Sequence, residues 1–314
     1  MAGTAQQPDT TSGGYPQGKL NTIRVYKQRG HYDYETVHSI TDSTLLSHVA
    51  FIIKDNDNNG EDAPVNLPLT CVLGRYNPDI DYERLSDEQL DAEHKETIRS
   101  GPVEAYVHGN AAAMLYKAIK ASENGSVKVC ITSTAVDGVV LFLTPNGHSL
   151  NYRSSVLHGT ASLVPEHEVA KKRWSMRLLT NHMARGRWDV TYPVAQSAMK
   201  YVQVIEVQIR SASAKVRGAN IGDFEPDTVL GESPGWQKKD VWSGVVPLYE
   251  VLGTPVSSGV MGTQGERDDA IRQVEHWRGG RNEASKEYAE RVAAVGPVEK
   301  DMKDQVEKWK STHN

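Results

Sequence analysis

The feature that most constrains the fold is a succession of short strand-like runs with little helical spacing between them. Runs rich in β-branched and aromatic residues fall at 47–53, 64–73, 103–108, 127–134, 138–143, 151–164, 201–211 and 241–249. Helical periodicity is clearest at 110–121 and 166–183, with a shorter stretch at 33–47 that Asp33 can cap. A doubly wound fold needs regular strand–helix alternation, which is missing. No G-x-G-x-x-G or P-loop pattern opens a helix either. The chain is therefore expected to be mainly β, an antiparallel barrel with peripheral helices.

Length and charge bound the function. At 314 residues the chain can bury a proper core, and its net charge of −5 argues against nonspecific binding of nucleic acid. Acidity is concentrated in 77–100, where eight carboxylates face three basic residues; this reads as an insertion whose helix starts at Ser86-Asp87-Glu88-Gln89. Cys71 and Cys130 are expected to be free thiols, with no Cys-rich zinc pattern and no metal site. No apolar run approaches membrane-spanning length and no leader is evident, so a soluble cytoplasmic protein is expected. The segments expected are a disordered 1–19, a barrel domain over 20–252, a linker at 253–265 and a helical tail over 266–314. In the tail an apolar stripe from Trp277 to Trp309 is expected on two helices broken at Gly296-Pro297.

Five places carry residues suited to chemistry, and each also has a plain structural role open to it. Tyr106-Val-His-Gly-Asn110 runs into a helix, and backbone N–H groups at a helix start suit a phosphate, although an ordinary strand-to-helix turn has the same pattern. The strand opened by Asn146-Gly147 holds His148, Tyr152, Arg153, Ser154 and His158. A strand that only packs carries no such load, and Arg153 suits bidentate pairing with a phosphate or carboxylate. Gly186-Arg-Trp-Asp189 follows the helix at 166–183 and suits capping it. Lys215 and Arg217 fall on one side of an extended segment, to meet an anion or solvent. Trp242 suits covering a planar ring or filling the barrel end.

Taken together, these places resemble a known family. Arg29-Gly-His-Tyr-Asp33, Val65-Asn-Leu-Pro68, Tyr106-Val-His-Gly109, Asp137-Gly-Val-Val140, the 148–161 run, Gly186-Arg-Trp-Asp189, Ser213-Ala-Lys-Val-Arg217 and Trp242-Ser-Gly-Val-Val-Pro247 occur in the family's order. Over about 24–249 the chain resembles the flavin-nucleotide-binding, nitroimidazole-resistance (Nim-type) family. That family lies among the pyridoxamine 5'-phosphate oxidase-like FMN-binding split β-barrels. The resemblance implies a split barrel, here with the acidic insertion and helical tail, and a homodimer holding FMN at the subunit interface. It implies that Asn66 and Pro68 face the flavin ring and that His108, Gly109 and Asn110 lie near its ribityl chain. It further implies that Arg153 and Ser154, aided by Lys215 or Arg217, hold the phosphate, and that Trp242 approaches the ring. One departure stands out. Relatives place a Gly and a cation in the turn after the His-Gly step, whereas here the turn is Ala111-Ala-Ala-Met-Leu115 and the first cation is Lys117.

The expected function is an FMN-dependent oxidoreductase. It would pass electrons from NAD(P)H through flavin to a small organic acceptor such as a nitroaromatic, a quinone or a metabolite, with His108, Tyr152 or His148 supplying a proton. The alternative is a barrel that binds flavin, haem or a metabolite without turnover, with His148 or His158 as the axial ligand for haem. A third possibility is cofactor-free or metal-assisted chemistry by His48, His108, His148, His158 and His182, which lack tight ligand spacing.

Overall fold

The computed structural model describes residues 13–53, 61–109, 113–142, 145–195, 199, 202–218, 242–258 and 264–295. The strands are β1 (Gly30–His31), β2 (Ser47–Ile53), β3 (Ala63–Leu69), β4 (Cys71–Gly74), β5 (Glu104–Gly109), β6 (Ser126–Leu141), β7 (Ser149–Leu163), β8 (Gln203–Arg217) and β9 (Gly244–Pro247). The helices are α1 (Tyr34–Ser43), α2 (Asp87–Ser100), α3 (Met114–Ala121), α4 (Val169–Met183) and α5 (Gln264–Val295). The expected mainly antiparallel β architecture is observed.

The chain divides into two compact units, residues 1–134 with 154–215 and residues 135–153 with 216–314. In the first unit the strands hydrogen-bond in the order β3-β2-β6-β7-β8-β5-β4. The two ends of that order, β3 and β4, are consecutive in the chain with only Thr70 between them. The sheet curls round on itself and is joined at its seam by chain, not by a ladder, which is what a split barrel requires. The sequence reading had one strand at 64–73; Thr70 is where it breaks in two. Alternation fixes the inner face: Ser47, Val49 and Phe51 of β2 are buried, as are Val129, Ile131 and Ser133 of β6.

Helix starts follow their local signals. The Asp33 carboxylate accepts from the Thr36 N–H at 2.7 Å, and Ser86 with Gln89 forms a full capping box on α2. The acidic insertion is therefore a helix, as expected, but it is fastened down. Arg177 of α4, 5 % exposed, donates to the carbonyls of Tyr82 and Leu85 and to Asp87 and Asp189. Gly186, at φ 72, turns the chain after α4 so that the Trp188 N–H reaches Asn181 and Asp189 reaches Arg177. Tyr76, Tyr82, Tyr106 and Trp174 pack around the same junction.

The N-terminal segment needs a correction. Residues 13–19 are not disordered: Tyr15 is 3 % exposed, its N–H bonds the Tyr32 carbonyl, and its hydroxyl donates to His38 Nε2 at 2.7 Å. Composition hid this because one aromatic anchor outweighs polar neighbours. Residues 1–12 lie outside the described residues.

In the second unit, β9 pairs antiparallel with the end of β6, Gly138 opposite Pro247 and Leu141 opposite Gly244. Helix α5 packs against β9 and is clasped to the chain after it: the Asn282 side chain accepts from the Leu252 N–H at 2.8 Å and donates to the Leu252 carbonyl at 3.0 Å. Ala289 and Val292 are buried and Trp277 is half-buried, so the expected stripe exists on one helix up to Val295. The break at Gly296-Pro297 and everything beyond it lie outside the described residues. Among the described residues, no helix is long and apolar enough to cross a membrane.

Candidate functional site

In the first unit β3 is the edge strand, and register places Pro68 opposite His48, and Asn66 opposite Ala50. A proline cannot donate to a ladder, so the backbone positions of Pro64 and Pro68 must face away from β2. Asn66 shares their parity, so its N–H and carbonyl face outward as well, between two positions that have no N–H. The side chains of Asn66 and Pro68 are exposed, whereas Leu67 and Leu69 point the other way and are half-buried. These leucines share a cavity of about 10 Å³ with His108, Gly109, Ala113 and Tyr116. That volume is at the limit for one water. The niche is a seat for the strand end, not a cofactor pocket, but through Leu67 it brings the Asn66–Pro68 segment beside His108 and Gly109.

Helix α3 begins directly after this point. Its N-cap residue, Ala113, is extended and offers no side-chain acceptor. The first-turn N–H groups therefore lack the usual cap, and the positive end of the helix dipole adds to their pull on an anion. Among the described residues, a Cβ added at Gly109 would meet the Ala113 Cβ at 3.9 Å, an ordinary contact. His108 is exposed at the surface of β5, and partial desolvation lowers its pKa, which leaves it neutral at pH 7. Asn110 falls outside the described residues.

Other expected residues divide between the units. Ser154 and Lys215 are in the first, where the Ser154 hydroxyl donates to the Lys215 carbonyl at 3.5 Å and the Lys215 ammonium lies 5.9 Å from the Tyr26 ring centre. His48 is exposed, and His158 is half-exposed on the side of β7 opposite the buried Leu157 and Gly159. Arg153, Tyr152, His148, Arg217 and Trp242 belong to the second unit. Arg153 is bound by Asp137, with Nε to Oδ2 at 3.0 Å and Nη2 to Oδ1 at 3.0 Å, and its guanidinium lies 3.9 Å from the centre of the Tyr288 ring. Burial raises the Asp137 pKa, and the bonds and charge of Arg153 only partly offset this. Arg217 donates to the Leu150 carbonyl at 2.9 Å, and His148 Nδ1 accepts from the Phe142 N–H at 3.3 Å. Tyr152 is half-buried, and Trp242 is 63 % exposed with its ring folded over Gly244.

Sequence reasoning missed Asp137 and Tyr288 as partners of Arg153. Asp137 sat within a quoted motif without a role, and nothing local links residue 288 to residue 153. It also missed a cavity of about 150 Å³ in the first unit, lined by Asp42, Asp87, Asp91, His94, His182 and Arg185 among others. Its polar groups are largely bonded to one another: His94 to Asp42 at 2.9 Å, Asn181 to Asp87 at 2.7 Å, and Asp91 to both Lys95 and Arg185. Among the described residues, no cluster of three or more His, Cys, Asp or Glu could hold a metal. Burial pushes the Cys71 thiol up to about 12, so it is an inert core residue.

Comparison with known proteins places this arrangement. The family described as pyridoxamine 5'-phosphate oxidase matches residues 33–216. The flavocytochrome Anf3 from Azotobacter vinelandii superposes with a TM-score of 0.53 at 25% identity, over 76% of this chain and 89% of that one. The FAD and heme binding protein from Mycobacterium smegmatis gives a TM-score of 0.52 at 19% identity, over 76% of this chain and 96% of that one. A putative 5-nitroimidazole antibiotic resistance protein from Bacteroides thetaiotaomicron gives 0.38 at 16% identity, over 67% and 96%. No curated protein matches. With more than half of its length matched and the split sheet in place, the chain belongs to the pyridoxamine 5'-phosphate oxidase family.

Proposed function

We propose that the protein is a flavin-dependent oxidoreductase that binds FMN and passes electrons from NAD(P)H to a small organic acceptor, acting as a cytoplasmic homodimer. The observation that carries this reading is the uncapped start of α3 beside Gly109 and His108, with the edge strand β3 next to it. Free N–H groups at a helix start suit a phosphate, and the outward N–H and carbonyl of Asn66 suit the polar edge of a flavin ring. Pro68 flanks that position with a carbonyl only. Flavin, when bound, supplies the hydride and one-electron chemistry. His108, held neutral by desolvation, keeps a proton on one ring nitrogen that it can donate. Ser154 and Lys215 add a hydroxyl and a cation in the same unit. Arg153, Arg217, Trp242, Tyr152 and His148 enter the proposal through the family resemblance. Asp137 already offsets the charge of Arg153, so phosphate neutralisation falls more heavily on the helix start and Lys215.

A second reading is supported by two relatives, one named as a flavocytochrome and the other as binding FAD and heme. Under it the chain holds haem with or without flavin. His158, half-exposed on β7, suits axial ligation better than His148, whose Nδ1 is engaged by the Phe142 N–H.

The visible absorption spectrum of the full chain, taken after incubation with FMN, FAD or haemin and desalting, tests both. Retained flavin that bleaches with NAD(P)H is the expected result. A chain that keeps no flavin refutes the proposal, and a Soret band in that case establishes the second reading.

A further inference from the structure

We propose that the cavity where α1, α2 and α4 meet is a binding site for a small primary amine, held as its ammonium ion by Asp42 and Asp91. The cavity measures about 150 Å³ and lies wholly within the first unit. A protein cavity of that size can hold a benzene, which sets the ligand at about six heavy atoms. Asp42 comes from α1, Asp87 and Asp91 from α2, and the buried Val72, Leu90 and Leu178 supply an apolar wall.

Acceptor oxygens are left over in this wall. Asp42 gives Oδ1 to His94, and Asp91 gives Oδ2 to both Lys95 and Arg185. Among the described residues, Asp42 Oδ2 and Asp91 Oδ1 accept no hydrogen bond, yet both side chains keep accessible surface, 27 % and 24 %. Charge is also left over. The His94 imidazole, 12 % exposed, answers Asp42, and the buried Arg177 guanidinium answers Asp87. Asp91 is answered only by Lys95 and Arg185, whose side chains are 52 % and 61 % exposed and therefore screened by water. One carboxylate of the wall thus has its partners outside the wall. Among the described residues, no three His, Cys, Asp or Glu groups are placed to hold a metal ion, so the cation that fits is organic. A primary ammonium carries three N–H donors to divide between the two oxygens, and its alkyl body suits the valine and leucines.

The site is separate from the flavin proposal, which rests on β3, β5 and the start of α3. Because Asp42 and Asp91 stand on different helices, a bound ammonium bridges the acidic insertion to α1.

Isothermal titration of the full chain with n-butylammonium chloride tests the site, with 1-butanol and tetramethylammonium chloride as controls. Butanol keeps the alkyl body without the charge; tetramethylammonium keeps the charge without N–H donors. Saturable binding of butylammonium is expected, about tenfold or more tighter than either control. Asp91→Asn keeps the shape of the wall and releases only exposed cations. It is expected to weaken binding about tenfold while thermal unfolding of the ligand-free chain barely moves. Equal binding in Asp91→Asn, equal binding of either control, or no saturable binding to the wild-type chain each overturns the proposal. Arg185→Ala, an exposed change, decides independently of how Asp91→Asn folds. It removes a cation that competes for Asp91 and is expected to tighten binding about twofold to threefold. Unchanged or weaker binding in Arg185→Ala overturns the proposal.

Discussion

Two arginines show two different uses of the same side chain. Arg177 in the first unit is saturated: its N–H groups go to Asp87, Asp189 and the carbonyls of Tyr82 and Leu85, and its side chain is 7 % exposed. Arg153 in the second unit is 22 % exposed and, among the described residues, meets one carboxylate and an aromatic face, with its Nη1 donors unassigned. A guanidinium whose donors are all taken by its own chain is a fastening, and one with donors left over is a candidate for a ligand. The distinction rests on bond inventory, since both residues look alike in sequence.

The comparison can be broken most sharply at Arg177. Arg177→Ala removes the cation that pairs Asp87 and Asp189 and strands the Tyr82 and Leu85 carbonyls, with Asn181 still bonded to Asp87, and should cost about 3 kcal/mol in urea unfolding. A loss below about 1 kcal/mol, the range of exposed pairs, would show that the insertion is not fastened in this way. Acid comes next. His38 is fully buried, with its Nδ1–H given to the Ile98 carbonyl and Nε2 accepting from Tyr15, and desolvation lowers its pKa to about 4 from 6.5. The unfolded chain takes up this proton first, so stability should fall as pH drops through that window and level off below it, by roughly 3 kcal/mol in all. His38→Asn should flatten that limb; an unchanged pH profile would refute the assignment. Arg153→Ala is expected to cost less than Arg177→Ala, about 1–3 kcal/mol, because the stranded Asp137 can protonate. Equal losses in the two variants would erase the distinction drawn here. The smallest effect belongs to His94. Burial opposes its charge, but Asp42 outweighs burial and raises its pKa, so its contribution is full below the ordinary value and fades as pH rises through the folded one. His94→Gln should therefore lose stability near pH 6 and very little near pH 9.

Much of the fold was legible because it is written locally. Asp33 and Ser86 start their helices where the sequence says, and β2 spans the run read as 47–53. The break at Thr70 and the fusion of 127–134 with 138–143 into one strand were not legible, since pairing partners decide where a strand stops, whereas the extended segment read up to Arg217 is the end of β8. The site was legible in part. His108, Gly109 and Leu67 of the Asn66–Pro68 segment come together because β3 meets β5, the neighbour of β4, at the sheet's seam. Asp137 and Tyr288 were invisible, because an ion pair 16 residues long in sequence and a ring from the tail leave no periodic trace.

The prolines of β3 have a consequence for the life of the protein in a crowded solution. An open seam in a barrel is an invitation for a neighbouring chain to add a strand and begin a fibril. Here the exposed border lacks donors at residues 64 and 68, so an incoming strand finds one N–H where it needs an unbroken series. The same two residues thus discourage copies of the chain from zipping together.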